Sequence, residues 1–238
     1  MPVLRLPQSF YSNSALNNPR KIKKRVFVRK VFVVLAFVLI LVSPMMVSAT
    51  TPRTLTVFHS DINTIGFNPN RTIWAHLFDD GFTPTDFAAY VDHARNQWVR
   101  AGIHTSRVND RPAASIEIFG GTRSRLEEEE PRLQGRVGVA IIVSSANVGN
   151  HTFNCPTHGL RSISNHRLDL MRVWVPQRGF LLLWWQRTDR NRTTFTHELG
   201  HALGWFGHSP NSQDVMYGAD GMRPILTIRD IEHLRQNY

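Results

Sequence analysis

The sequence predicts an α+β fold, and the order of its periodic patterns carries that prediction. Segments that alternate apolar and polar residues, as strands do, occupy much of the region after residue 49. Apolar residues at helical spacing dominate its C-terminal part. Strands followed by helices, in a region of about 190 residues, predict a single domain over 50–238 with one core.

Four strands and a first helix are predicted along this domain. Thr83-Pro84 begins the helix, because proline is favoured in a first helical turn, and apolar residues then recur at helical spacing until Gly102. The strands are the segments 54–58 (T-L-T-V-F), 114–119 (A-S-I-E-I-F), Val137 to Val143, and 171–175 (M-R-V-W-V).

Two further helices are predicted near the C-terminus. One starts near Asn191 to Thr194 and carries His197 to Leu203, whereas the apolar segment Phe180 to Trp185 fits a strand or a helix. The last helix follows Thr227, an N-cap with Asp230 at the third position. The acidic run Glu127 to Glu130 predicts a solvated loop.

The basic excess of the chain belongs to a leader at residues 1–49. These residues hold eight of the 28 Lys and Arg residues and no acid, which leaves 20 basic and 18 acidic residues in the remainder. The near-neutral remainder gives no reason to expect nucleic-acid binding. The apolar run Val31 to Val42 rises about 18 Å in a helix, short of a hydrocarbon core of roughly 30 Å.

The leader therefore has the pattern of a signal peptide. Pro44 ends the apolar run, and Val47-Ser48-Ala49 places small residues before a cleavage point after Ala49. Export is expected, and an uncleaved leader that anchors the domain at a membrane is the alternative. The lone Cys155 excludes an intrachain disulfide and is expected to be a small residue in a loop.

The segment 197–208, H-E-L-G-H-A-L-G-W-F-G-H, carries the chemistry. His197 and His201 are four residues apart, so a helix projects both imidazoles from one face, with Glu198 beside them. Two imidazoles and a nearby carboxylate favour a zinc ion, with Glu198 able to take a proton from a water on the metal.

A third ligand has to come from beyond a turn. Seven further residues of helix would carry His208 about 10.5 Å past His201, too far for one ion. Gly204 can end the helix and reverse the chain, and Gly207 accommodates one extra residue in the turn. His208 then supplies the imidazole that Gly207 lacks.

These residues, with D-V-M-Y at 214–217, resemble the metzincin zinc peptidases, and most of all the matrixin group of matrix metalloproteinases and bacterial relatives. The resemblance implies a metzincin-like domain with a mostly antiparallel twisted sheet, an active-site helix and a C-terminal helix. It implies catalytic zinc on His197, His201 and His208, Glu198 as general base toward zinc-bound water, and Met216 in a Met-turn beneath the metal. The sequence departs from the matrix metalloproteinases in that no cysteine-switch motif precedes the domain, so a bacterial-type enzyme without a cysteine-switch propeptide is expected.

The expected function is a secreted zinc endopeptidase that hydrolyses extracellular proteins or peptides as a monomer, with no nucleic-acid partner and no membrane contact except through an uncleaved leader. The alternative is a catalytically silent zinc-binding surface module of the same fold. A structural Ca²⁺ or second Zn²⁺ is a further candidate around His151, His158, His166 and Asp169. The tryptophans are expected in the core or at its rim: Trp98, Trp174, Trp184, Trp185 and Trp205.

Overall fold

The computed structural model describes residues 53–54, 64–155, 159–178, 184–218 and 223–238, all of which belong to one compact unit, Thr50–Tyr238. Its strands are β1 (Arg53–Thr54), β2 (Thr64–Phe67), β3 (Thr72–Leu77), β4 (Ser106–Arg107), β5 (Ile116–Gly121), β6 (Val139–Cys155) and β7 (Gly159–Pro176). Its helices are α1 (Pro84–Val99), α2 (Arg123–Glu129), α3 (Trp184–Ala202) and α4 (Ile228–Arg235). The predicted leader lies outside the described residues, as does most of the segment 54–58.

The sheet corrects the predicted fold class, because it is mostly parallel rather than mostly antiparallel. Its strand order is β1-β6-β7-β5-β3-β4, with β2 also paired to β7. Among the described strands, the β6–β7 hairpin is the single antiparallel pairing and five pairings are parallel. Helix α1 crosses over between the parallel strands β3 and β5, and such β-α-β connections are typical of α/β folds. The domain is therefore of the α/β type, and the α+β prediction is wrong.

Helix α1 confirms the prediction made from its spacing. The Thr83 hydroxyl accepts the Asp86 amide at 3.1 Å, and the chain leaves the helix through Gly102 at a φ of +78°. The buried side of the helix consists of Phe87, Tyr90, Val91, Ala94 and Trp98. This side packs on α3, where Trp98 Nε1 donates to the Thr196 carbonyl at 2.9 Å.

Helix α3 starts earlier than predicted, at Trp184 instead of near Asn191 to Thr194. Threonines often cap helices, and this preference produced the error. Here the Thr193 and Thr194 hydroxyls donate to carbonyls four residues back, at 2.8 and 2.9 Å, so they lie inside the helix. The residues 180–183 lie outside the described part of the chain.

The acidic run Glu127 to Glu130 is not a loop, since its first three residues lie in α2. Arg123 pairs with Glu127 at 3.0 Å, and Arg125 pairs with Glu128 and Glu129 at 3.1 and 2.5 Å. Pairs three or four residues apart on a helix neutralise one another, so the run is part of an ion-paired helix surface.

Side chains fill both faces of the sheet. The larger core lies between the sheet and helices α1, α3 and α4, and a smaller cluster of Phe119, Leu126, Leu133, Ile141 and Trp174 lies on the opposite face. Trp98, Trp174 and Trp205 are buried, as predicted. Within the described residues, no helix has both the length and the apolar character needed to cross a membrane.

Candidate metal centre

The three named residues of the H-E-x-x-H segment, His197, Glu198 and His201, lie at the end of helix α3. His197 and His201 project from one face of the helix, and their Nε2 atoms lie 3.0 Å apart. The helix is followed by Gly204, whose φ of +113° confirms the predicted turn. A Cβ at this position would lie 2.0 Å from the Gly66 carbonyl oxygen, so only glycine lets strand β2 pack against the turn.

The turn returns the chain to the metal ligands. Gly207 has a φ of +92°, so the residue next to the third histidine does take the conformation that glycine favours. The His208 ring centroid lies 5.3 Å from that of His197 and 5.1 Å from that of His201. One nitrogen of each ring lies within 4.8 Å of the other two. The three histidines can therefore hold one metal ion.

The hydrogen-bond partners of the Nδ1 atoms determine which tautomer His197 and His201 adopt. His197 Nδ1 lies 2.8 Å from the Val215 carbonyl oxygen, and His201 Nδ1 lies 2.6 Å from that of Trp205. A carbonyl only accepts hydrogen bonds, so both Nδ1 atoms carry the proton and both Nε2 atoms present lone pairs. Two lone pairs that face each other at 3.0 Å repel unless a cation lies between them. This arrangement is the one expected of two residues that could bind a metal ion together.

The protonation of these rings agrees with metal binding. Burial lowers the pKa of His197 to about 4, against the opposing effect of its bond to the Val215 carbonyl. Burial also places the pKa of His201 well below its ordinary value, and the neighbouring His197 adds to that effect. Neutral imidazoles are the form that binds metals.

The number and type of ligands fit zinc with one open position. Nitrogen ligands at about 2.0–2.1 Å in a tetrahedron lie about 3.3 Å apart, close to the spacing of the His197–His201 pair. His208 is exposed, and one of its ring nitrogens lies within 4.8 Å of those of the pair. Among the described residues, no fourth His, Cys, Asp or Glu joins the group. Structural zinc sites are closed by a fourth protein ligand, whereas hydrolytic sites leave that position open.

Glu198 lies in the same cleft, which has a volume of about 480 Å³. Its side chain is 3% exposed, and burial raises its pKa to about 8, although the positive charge of Arg136 acts in the opposite direction. The carboxylate lies against Gly138, where an added Cβ would be 2.7 Å from Glu198 Oε1. Sequence reasoning missed Gly138, although a lone glycine in an apolar strand segment indicates a close approach.

The segment after His208 packs against helix α3 and accepts a hydrogen bond from one of the candidate ligands. Met216 is fully buried, and a Cβ on Gly200 of α3 would lie 2.6 Å from its sulfur. Asp230 of α4 accepts the Val215 and Met216 amides at 3.0 and 3.3 Å. Because the Val215 carbonyl accepts from His197, Asp230 helps to position the His197 ring. This role was not predicted, because Asp230 was assigned only to the capping box of the last helix, which the structure confirms.

The other candidate ligands are not brought together in the described part of the chain. Asp169 pairs with Arg167 at 2.9 Å, and His166 Nδ1 lies 3.4 Å from the Ser145 hydroxyl. His158 lies outside the described residues. The three-histidine group is the one cluster of potential metal ligands found among residues that the structure describes, so a second Zn²⁺ or a Ca²⁺ gains no support. Cys155 lies at the end of strand β6 rather than in a loop.

No protein-family model matches the chain, and no curated protein is significantly similar to it. The site is therefore described by its geometry alone. Three imidazoles lie close enough to hold one metal ion, and a buried carboxylate lies beside them.

Proposed function

We propose that the protein is a zinc-dependent endopeptidase of the kind that its H-E-x-x-H segment resembles, the matrixin group of the metzincins. The observation that carries the proposal is the pair of facing Nε2 atoms of His197 and His201, in one cleft with His208 and the buried carboxylate of Glu198. A site that only stabilised the fold would have no use for a buried carboxylate beside an open ligand position.

Glu198 moves the protons in the proposed reaction. A bound zinc ion would supply Lewis-acid polarisation of the scissile carbonyl and activation of water. A Glu198 carboxylate oxygen accepts a proton from the attacking water and then delivers it to the nitrogen of the departing amine. Burial makes this carboxylate a stronger base than an exposed glutamate, and Gly138 leaves room for it at the cleft wall.

The outer edge of strand β6 is the proposed binding surface for the peptide. Among the described strands, β6 pairs on its outer side only with β1, at Phe153 and Asn154. The residues from Gly135 to Ala140 line the cleft, and Ile142 and Val143 are each 42% exposed. A sheet edge that lies beside a cleft, and that is not paired there by any described strand, suits strand addition by an extended peptide, as predicted for Val137 to Val143.

The proposal places the enzyme outside the cell, secreted or anchored by its leader, and as a monomer. The leader pattern of residues 1–49 supports export. N-terminal sequencing of the exported protein would give Thr50 for a cleaved leader and Met1 for an anchored form.

The test combines metal content with peptide cleavage. We expect one zinc ion per chain, loss of zinc in His208→Ala, and unchanged zinc in the matched control His166→Ala. We expect Glu198→Ala to retain zinc but to lose cleavage of casein. An inactive wild type with full zinc occupancy would refute the enzyme and favour the silent binding module, and full zinc in His208→Ala would assign the third ligand elsewhere.

A further inference from the structure

Arg136 is the one arginine or lysine that lines the cleft among the described residues. Its side chain is exposed. The nearby arginines of this surface are paired, Arg123 with Glu127 at 3.0 Å and Arg132 with Glu130 at 2.7 Å. No carboxylate of the described chain lies within ion-pair distance of the Arg136 guanidinium, so this cation at the cleft is available to a ligand.

The backbone around Arg136 is held in place although its side chain is free. Its amide donates to the Leu133 carbonyl at 2.9 Å, and its own carbonyl accepts Arg123 Nη1 at 3.0 Å. Leu133 is fully buried, and the preceding Gly135 turns the chain at a φ of +72°. The fixed backbone reduces the entropy lost when a ligand binds there, whereas ordering the guanidinium adds to that loss.

The distance between Arg136 and the reaction centre is limited by the chain. Arg136 precedes Gly138 by two residues, which span about 6–7 Å in an extended chain. Gly138 contacts Glu198, so the backbone of Arg136 lies about two residues along the cleft from the catalytic glutamate. Arg136 and Glu198 both line the cleft.

We propose that Arg136 selects peptides that carry an acidic side chain about two residues from the scissile bond. A peptide that extends β6 beyond its first residue, Val139, would place alternate side chains along the segment that contains Arg136, three residues before the strand, and one carboxylate would then meet the guanidinium. This proposal deepens the proposed endopeptidase function and rests on it. An exposed ion pair contributes about 0.2–1 kcal/mol, which corresponds to a preference of up to about fivefold.

The experiment starts from a neutral, fluorescence-quenched peptide that the enzyme cleaves. At each position in turn, a peptide with Glu is compared with the same peptide carrying Gln at that position. The wild type should show a kcat/KM about two- to fivefold higher for Glu at one position. Arg136→Gln should bring that ratio to one, and Arg136→Glu should invert it. Arg100→Gln, which removes an exposed arginine at the end of α1, should leave it unchanged.

A binding measurement separates this inference from the proposed function. Zinc-loaded Glu198→Gln should bind the Glu peptide more tightly than the Gln peptide by fluorescence anisotropy, and the added Arg136→Gln substitution should remove the difference. Equal ratios for every peptide pair in both assays would overturn the inference while leaving the endopeptidase in place. Equal rate losses on both peptides in Arg136→Gln would also overturn it, because Arg136 would then act on Glu198. Absent cleavage with selective binding would refute the endopeptidase alone.

Discussion

The substitution Gly204→Ala should damage the metal site and the fold together. The new Cβ would lie 2.0 Å from the Gly66 carbonyl oxygen and 2.5 Å from its carbon. Contacts of this type require about 3.3 Å or more, so strand β2 and the turn must separate by over about 1 Å. The backbone fixes the position of the Cβ, and the atoms that it meets are backbone atoms, so no side-chain rotation relieves the contact.

The expected magnitude follows from two costs. A φ of +113° is strained for alanine, at about 1–2 kcal/mol, and forced repacking of a dense core typically adds about 1–3 kcal/mol. The total of about 2–5 kcal/mol should lower the Tm by about 4–20 °C for a domain of this size. The turn also carries the Trp205 carbonyl that orients His201, so zinc affinity should fall as well.

Scanning calorimetry with and without zinc, together with zinc content after dialysis against a competing chelator, measures both effects. Gly102→Ala is the matched control, because Gly102 has a φ of +78° but no atom within 4 Å of an added Cβ. The control should show only the backbone cost of about 1–2 kcal/mol and no change in zinc. A Gly204→Ala protein no less stable than Gly102→Ala, with full zinc affinity, would refute the reasoning.

Three further predictions concern the surroundings of the site. Gly138→Ala should displace the Glu198 carboxylate and lower kcat about ten- to a hundredfold with zinc content unchanged, and an unaltered kcat would contradict the close approach. Gly200→Ala should destabilise the protein by about 1–3 kcal/mol in urea unfolding, because the new Cβ would lie 2.6 Å from the Met216 sulfur. This loss should outweigh the higher helix propensity of alanine, and a stabilised variant would show instead that the Met216 side chain can move away. Burial acts to raise the pKa of Asp214, but hydrogen bonds from neighbouring guanidinium and hydroxyl groups outweigh it and hold the pKa below its ordinary value. Ionised Asp214 therefore contributes stability above about pH 4 that is lost as the pH falls through the lowered pKa, and Asp214→Asn should flatten this acid dependence in urea titrations.

The spacing of the histidines made much of the site predictable. Two residues four apart on a helix share a face, and Gly204 indicated the turn that returns His208 to that face. The supporting carbonyls of Trp205 and Val215 were not predictable, since any residue offers a carbonyl and only the folded backbone decides where it points.

The direction of the strands was harder to predict than their existence. Strand β3 escaped prediction because it is apolar on both sides: Ile73 is buried in the larger core, while Trp74 packs on the opposite cluster. Without β3, the arrangement of α1 between two parallel strands could not be recognised, and the mostly antiparallel sheet was expected only from the resemblance to the metzincins. Alternation reports which side of a strand is buried but not which way the strand runs.

The contact between Gly66 and Gly204 links the metal centre to the order of folding. These residues lie near opposite ends of the described chain, and contacts so distant in sequence form late because a long loop must first be closed. A partly folded chain can present the His197–His201 pair as soon as α3 forms, but it lacks the docked turn that brings in the third imidazole. We therefore expect tight zinc capture to be one of the last events in refolding, so that the kinetics of zinc uptake would time the completion of the native state.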